Sequence, residues 1–409
     1  MTTEPTVRRR RVFYIPGFDP IHPRRYRELY RREGAAQAAL SGYELALKPR
    51  RSKGPYGWHV AAQVEGARVE TDVEVLVWSD IVRESMGQGI LGTYWQLART
   101  AWAYIGSGAL FRLMRLRKGP ILAALYPEAM LLAQLALACL AAWGVGALVA
   151  LALPGWVGWL AGLAVIPPVL VWFRRQDHRL YAYYLMHDFA YTARDGGAYP
   201  PELTARMEAF RQSIAEALAS GADEVLVVGH SSGAHIAVTV LADLLRAGRA
   251  EGGAEGGPVL SLLTLGQAIP MASFLPRADK LRGDLHYLSA SDALTWVDVT
   301  APGDGCAFAL CDPVAVTGVA PPDKRWPLVL SAAFSQTLSP AKQAELKRRY
   351  FRLHFQYMCA FDALPGTPAD YDYFRITAGP QTLGARFADR APSKSRIETP
   401  VGRHVTMAA

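Results

Sequence analysis

The sequence predicts an α/β fold: a doubly wound, mostly parallel sheet with helices on both faces, interrupted by a two-helix hairpin suited to a lipid bilayer. Three observations lead there. Short apolar runs alternate with helical patterns along most of the 409 residues. A run of 45 residues, Ala129 to Phe173, contains no Asp, Glu, Lys or Arg. The stretch "VLVVGHSSGA", Val225 to Ala234, passes from four β-forming residues directly into an Ala- and Val-rich helical pattern.

In chain order, "RVFYIPGF" reads as a short buried strand ending at Gly17, followed by a basic helix from about Pro23 to Ala39. "YELALKP" and "GWHVAAQV" alternate like a small antiparallel excursion, and "TDVEVLVWSD" is another sheet strand. Gly92–Phe111 is rich in aromatics, which suits a helix lying along lipid headgroups or one covering a sheet face. After the apolar run, "PPELTARMEAFRQSIAEALASGA" has Pro at its start, apolar residues at helical spacing and Gly221 at its end, the punctuation of a helix. "DEVLVVGH" is a strand and "SSGAHIAVTVLADLLRAG" its helix. "GGAEGGP" marks a flexible loop, "VLSLLTLGQ" and "LTWVDVTAP" two further strands, and Pro340 to about Tyr350 a helical stretch. The last residues, 385–409, mix Arg, Ser, Pro and Thr without periodicity and are expected to be disordered.

The apolar run divides at Leu153–Gly155 into Ala129–Leu151 and Trp156–Phe173, helices of roughly 34 and 27 Å against about 30 Å of hydrocarbon. Arg112, Arg115, Arg117 and Lys118 precede the run and Arg174, Arg175 and Arg179 follow it, whereas the turn is uncharged. The positive-inside rule therefore leaves both ends on the cytoplasmic side. A shallow re-entrant hairpin, favoured by Pro167–Pro168 and several glycines, and a buried soluble hairpin are the alternatives. The expected parts are residues 1–111, the hairpin with its basic flanks at 112–180, residues 181–384 and the tail at 385–409.

Composition limits the function classes. The four cysteines, Cys139, Cys306, Cys311 and Cys359, form no CxxC pair and no zinc spacing, so neither a disulfide framework nor a metal site is expected. The net charge of +8 comes from arginines at Arg8–Arg11 and beside the apolar run, a placement that suits anionic lipid better than nucleic acid. No phosphate-binding glycine loop or cofactor motif is present, and no apolar leader opens the chain, so export is not expected.

Gly229–His230–Ser231–Ser232–Gly233 supplies the chemistry. Its glycines remove side chains where strand and helix crowd together, Ser231 projects from the turn as a nucleophile, and the helix N-terminus favours negative charge. A structural serine cap is the alternative. Over most of its length outside the hairpin and tail, the chain resembles the α/β-hydrolase superfamily. That resemblance implies an α/β-hydrolase type of sheet and the chain order Ser, acid, His. "YIPGF" fits the place of the oxyanion turn, with Gly17 allowing close approach and the Phe18 and Ser232 N–H groups as donors. Asp304, in "GDG" after the second strand beyond the serine, is the expected acid, with Asp298 and Asp312 as alternatives. His354 is the expected base rather than His404 in the tail. His230 and His235 are expected to pack or tune the site, and His187–Asp188 to be a helix-surface pair at the bilayer boundary.

The expected function is thus a membrane-tethered serine hydrolase, without cofactor, facing the cytoplasm from the inner membrane and cleaving acyl esters, with lipids as candidate substrates, through an acyl-enzyme. An acyltransferase or thioesterase with the same triad, or a catalytically silent membrane scaffold, are the other readings.

Overall fold

The computed structural model describes residues 7–50, 55–248, 257–367 and 370–408. Its architecture is α/β, around one mixed sheet of eight strands: β1 (Arg9–Ile15), β2 (Glu44–Pro49), β3 (Gly57–Val64), β4 (Ala67–Val75), β5 (Glu224–His230), β6 (Val259–Leu265), β7 (Thr295–Thr300) and β8 (Leu328–Ser331). The spatial order is β2-β3-β4-β1-β5-β6-β7-β8. β2, β3 and β4 pair antiparallel, and every pairing from β4 to β8 is parallel. The small antiparallel excursion is thus one edge of the main sheet.

The helices that position the site are α1 (Arg24–Ser41), α2 (Ile90–Gly106), α3 (Lys118–Ala150), α4 (Gly155–Arg175), α5 (Ala182–Ala193), α6 (Pro201–Leu218), α7 (Gly233–Arg246), α8 (Asp279–Ala290) and α9 (Tyr350–His354). The period-2 geometry of the strands divides their apolar residues between two cores. Val12, Tyr14, Leu226, Val228, Leu263 and Val297 face the layer containing α1 and the helix Tyr373–Ala378. Phe13, Ile15, Val225, Val227, Leu262 and Trp296 face α6, α7 and α8. β5 is buried along all seven residues, which is why its sequence reads as an unbroken apolar run.

α3 and α4 leave the sheet after β4 and run antiparallel against each other. Their contact is made by small residues: a Cβ at Gly158 would lie 2.6 Å from the Gly146 carbonyl oxygen, and one at Gly162 2.6 Å from that of Ala142. Both helices are long and apolar enough to cross a membrane. Leu132, Leu137, Leu140, Trp143, Leu148, Trp156, Trp159, Leu160 and Leu163 are exposed on them. α3 starts eleven residues before the expected boundary at Ala129, because Pro120 and Ile121 are buried against the body of the protein. α2 packs on α5 rather than on the sheet, leaving Leu91, Trp95, Trp102 and Ile105 exposed.

Several expectations are corrected. Arg10 is fully buried and bonds Glu224 at 2.6 Å, and Arg11 pairs with Glu74, so these two arginines hold the sheet and do not meet lipid. The helical stretch from Pro340 is two short helices, Pro340–Leu346 and α9, separated by Arg348 at φ +64°. The tail is ordered as far as Ala408. Ile397 N–H donates to the Leu310 carbonyl at 2.7 Å and its carbonyl accepts from Asp312 N–H at 2.9 Å, while Val401 is buried and Arg282 donates to the Thr406 carbonyl at 2.7 Å. Its backbone is satisfied by distant segments, which leaves no periodic signature. The expected loop "GGAEGGP" falls, up to Gly256, outside the described residues.

Deleting residues 396–409 should lower Tm by about 2 °C or more, since the lost apolar burial and long-range hydrogen bonds amount to about 2 kcal/mol at least. A thermal melt unchanged by the truncation would show that the tail contributes nothing to the fold.

Candidate active site

The C-terminal ends of the parallel strands converge on one cavity of about 670 Å³. Ser231 stands at its floor, in the turn between β5 and α7, with φ +57°. A non-glycine residue in the left-handed region is strained and persists only where its surroundings enforce it. Here the Ser231 N–H donates to the Leu265 carbonyl at 2.9 Å and its own carbonyl accepts from Ala234 N–H at 3.1 Å.

Each motif glycine answers a specific close approach. A Cβ at Gly17 would sit 2.9 Å from Ser231 Cβ, one at Gly229 2.8 Å from Ala234 Cα, and one at Gly233 2.2 Å from the Ile15 carbonyl oxygen. Gly17 therefore brings the end of β1 against the serine, while Gly229 and Gly233 let α7 sit directly on β5 and β1.

Asp304, in the turn after β7, is buried and accepts three hydrogen bonds. His354 Nδ1 donates to its Oδ2 at 2.7 Å, Tyr357 O–H to the same oxygen at 3.0 Å, and Cys306 N–H to Oδ1 at 2.9 Å. His354 ends α9, so its ring reaches back over the strand ends. Its Nε2 is buried and makes no hydrogen bond, and the same cavity is lined by His354 and Ser231. The alternative acids are placed elsewhere. Asp312 caps the helix Pro313–Thr317 and pairs with Lys324 at 2.6 Å. Asp298 accepts from Thr264 O–H at 2.6 Å inside the sheet, where burial pushes its carboxyl up to about 8. His404 lies in the packed tail and does not line the cavity.

The structure also brings in two residues that the sequence did not single out, Tyr357 and Gly266, and places His230 and His235. Tyr357 links Asp304 to the sheet, since its hydroxyl also accepts from Ala301 N–H at 3.0 Å. Gly266, at φ +51°, follows β6; a Cβ there would lie 2.7 Å from Tyr357 Cε2 and 3.1 Å from His354 Cε1. His230 donates from Nε2 to the His354 carbonyl at 3.0 Å, and burial holds its imidazole well below the usual histidine range, so it stays neutral and fixes the α9 backbone. His235 is likewise lowered by burial, to about 4, beside the Tyr199 hydroxyl.

One expected oxyanion donor is engaged. Phe18 N–H donates to Ser232 Oγ at 2.9 Å, and the Phe18 carbonyl accepts from Tyr184 O–H at 2.5 Å, so this peptide is held at both ends. The expected surface pair His187–Asp188 is also corrected. His187 is buried with Nδ1 bonded to Gln96 Oε1 at 2.8 Å, whereas Asp188 lines the cavity that holds Ser231. Helical rotation of α5 separates the two, a geometry that sequence adjacency conceals.

Asp304, Cys306 and His354 also form the metal-ligand type of cluster found among the described residues. The arrangement suits a metal poorly, because Asp304 and His354 are bonded to each other and burial raises the Cys306 thiol, keeping it protonated. Comparisons with protein-family models, with curated proteins and with solved structures find no match to this chain.

The acid assignment has a stability consequence that separates Asp298 from Asp304. Raised above its unfolded value near 3.8, the Asp298 carboxyl binds its proton more tightly in the folded state. Its contribution is therefore full below about pH 4 and is lost as pH rises toward about 8. Asp298→Asn should flatten stability over that interval, with its largest gain over wild type near pH 8 in denaturant titrations. A constant difference across the interval would refute a neutral Asp298.

Proposed function

We propose that this protein is a membrane-anchored serine hydrolase of the α/β-hydrolase type that cleaves acyl esters of amphiphilic molecules. The observation that carries the proposal is Ser231, held at φ +57° on a strand-to-helix turn, in one cavity with a His354 whose Nδ1 is tied to buried Asp304. In the reaction, Ser231 Oγ attacks the ester carbonyl while His354 Nε2 takes the hydroxyl proton. Asp304 holds the imidazole by Nδ1–H and stabilises its cation. The tetrahedral oxygen is stabilised by Ser232 N–H, by the N-terminus of α7 and, once the Ser232 hydroxyl rotates away, by Phe18 N–H. His354 then returns the proton to the departing alcohol, leaving an acyl-serine, and a water molecule deprotonated by the same imidazole releases the acid.

The cavity's position supports this choice of substrate class. Its walls include Pro120 and Ala123 from the first turns of α3, together with Tyr181, Tyr184, Leu185 and Phe351. If α3 and α4 span the bilayer, the cavity opens where α3 leaves the lipid, within reach of a chain rising from the membrane. Three features support that spanning. α4, with 21 residues, is about 32 Å long, close to the hydrocarbon thickness. Its glycines pack in the small-residue pattern that holds helices together where no hydrophobic drive exists. The helix surfaces are apolar and uncovered. Arg115, Lys118, Arg174, Arg175 and Arg179 are exposed at the end nearest the sheet, which under the positive-inside rule supports a cytoplasmic body. The outward Trp95 and Trp102 of α2 would then rest among the headgroups.

A fluorophosphonate probe should label detergent-solubilised protein, with no labelling after Ser231→Ala. His354→Ala should slow the reaction by about a thousandfold or more, and Asp304→Asn by a comparable order. A folded wild type that resists the probe would overturn the hydrolase assignment.

A further inference from the structure

Asp188 has no part in the reaction just described, yet its carboxylate faces the reacting groups. It stands on α5 between Tyr184 and Phe189, lines the cavity that holds Ser231 and His354, and also borders a small void lined by Phe18 and Ser232. Among the described residues its carboxylate makes no hydrogen bond and no ion pair. The charged groups around the cavity have other partners: Arg25 bonds Asp19, and Lys342 and Arg352 bond Glu345. The remaining ionisable groups that sense Asp188 are His354, Tyr104, Tyr184 and Cys306, and burial keeps the last three protonated. Half-buried in an aromatic wall and lining the cavity, this carboxylate is an acceptor open to a ligand that donates to it. Burial also pushes this carboxyl up to about 7, which an arriving cation would reverse.

We infer that Asp188 is the substrate-recognition carboxyl of this site, accepting a hydrogen bond from a donor group on the alcohol portion of the ester. The inference rests on the hydrolase reading above. An unsubstituted fatty acyl chain offers no donor, so the group that meets Asp188 belongs to the alcohol. Two kinds of alcohol carry that chemistry: a polyol with a free hydroxyl, as in a partial glyceride, and an amino alcohol whose ammonium would also gain from the rings of Tyr184, Phe351 and Phe18.

The test compares three decanoyl esters on the solubilised full chain: ethyl, glyceryl and 2-(dimethylamino)ethyl. The readout is the ratio of kcat/KM for each donor-bearing ester to that for the ethyl ester, with fluorophosphonate labelling counting folded sites. Wild type should favour at least one donor-bearing ester by about tenfold, and Asp188→Ala should bring that ratio to about one. Asp188→Asn should keep a glyceryl preference, because the amide oxygen still accepts, and lose an ammonium preference, because the charge is gone. A ratio unchanged by Asp188→Ala in labelled protein overturns the inference alone. Wild type that neither labels nor turns over any ester overturns the hydrolase reading and the inference with it.

Discussion

The site depends on the pairing of β1 with β5. These strands lie parallel at the centre of the sheet, and their relative position is pinned at both ends. At one end Arg10 and Glu224 are register partners, and their side chains form a fully buried ion pair, with Arg10 also donating to the Gly379 and Gln381 carbonyls. Removing one member of such a pair leaves an uncompensated buried charge, so a slip in register is strongly disfavoured. At the other end, α7 presses on β1 so closely that only glycine fits at position 233. Between these anchors the chain has no freedom to move Gly17 away from Ser231, and the strained serine turn is held by the sheet rather than by its own preference.

Topology then collects the remaining parts. From β1 the sheet grows outward in both directions, toward β4 on one side and β5 to β8 on the other. Connections leaving the strand ends diverge at that point and open a crevice, the usual place for a ligand in an open α/β sheet. Ser231 follows β5, Gly266 follows β6 and Asp304 follows β7, so three adjacent strands deliver three parts of the site at the same height. His354 arrives differently, from a helix beyond β8, and needs its own fixings: the bond to Asp304 in front and the His230 bond to its backbone behind.

This division explains what was legible in the sequence. Buried parallel strands write themselves as apolar runs, so β1, β5, β6 and β7 were readable, and the glycines of a crowded turn mark its position. Asp304 and His354, which the fold brings together, stood out through their place after particular strands, although β8 itself, four residues long and ending in serine, gave no signal. What was hidden depends on contacts remote in sequence. The Arg10–Glu224 pair spans most of the N-terminal half of the chain, so the basic N-terminal cluster resembled a lipid-binding patch. The tail draws its order from the segment 310–316 and looked featureless for that reason. Gly266 is one of 36 glycines and gains meaning only once His354 and Tyr357 crowd against it. The orientation of Asp188 depends on the rotation of α5, which is fixed by its packing against α2 and α3.

The charges inside the cavity complete the physical argument. Its walls are largely aromatic and aliphatic, so an ionised group there interacts more strongly than it would in water. Apart from Asp188, the charged residues that line it, Asp19, Arg25, Glu28, Arg32, Glu33, Lys342 and Arg352, are held in ion pairs. His230 and His235 are neutral through burial, and the tyrosines and Cys306 remain protonated. Asp304 differs from these in being surrounded by donors: an imidazole N–H, a phenol and a backbone N–H converge on its two oxygens. In the proposed reaction, a carboxyl group so held would face the imidazolium without rearrangement, and stabilisation already in place at the moment of proton transfer lowers a barrier most. Asp188 lacks that surround, and this difference between two carboxyls of one cavity is the reason to give them different tasks, one bound permanently to the protein and the other left open toward the ligand.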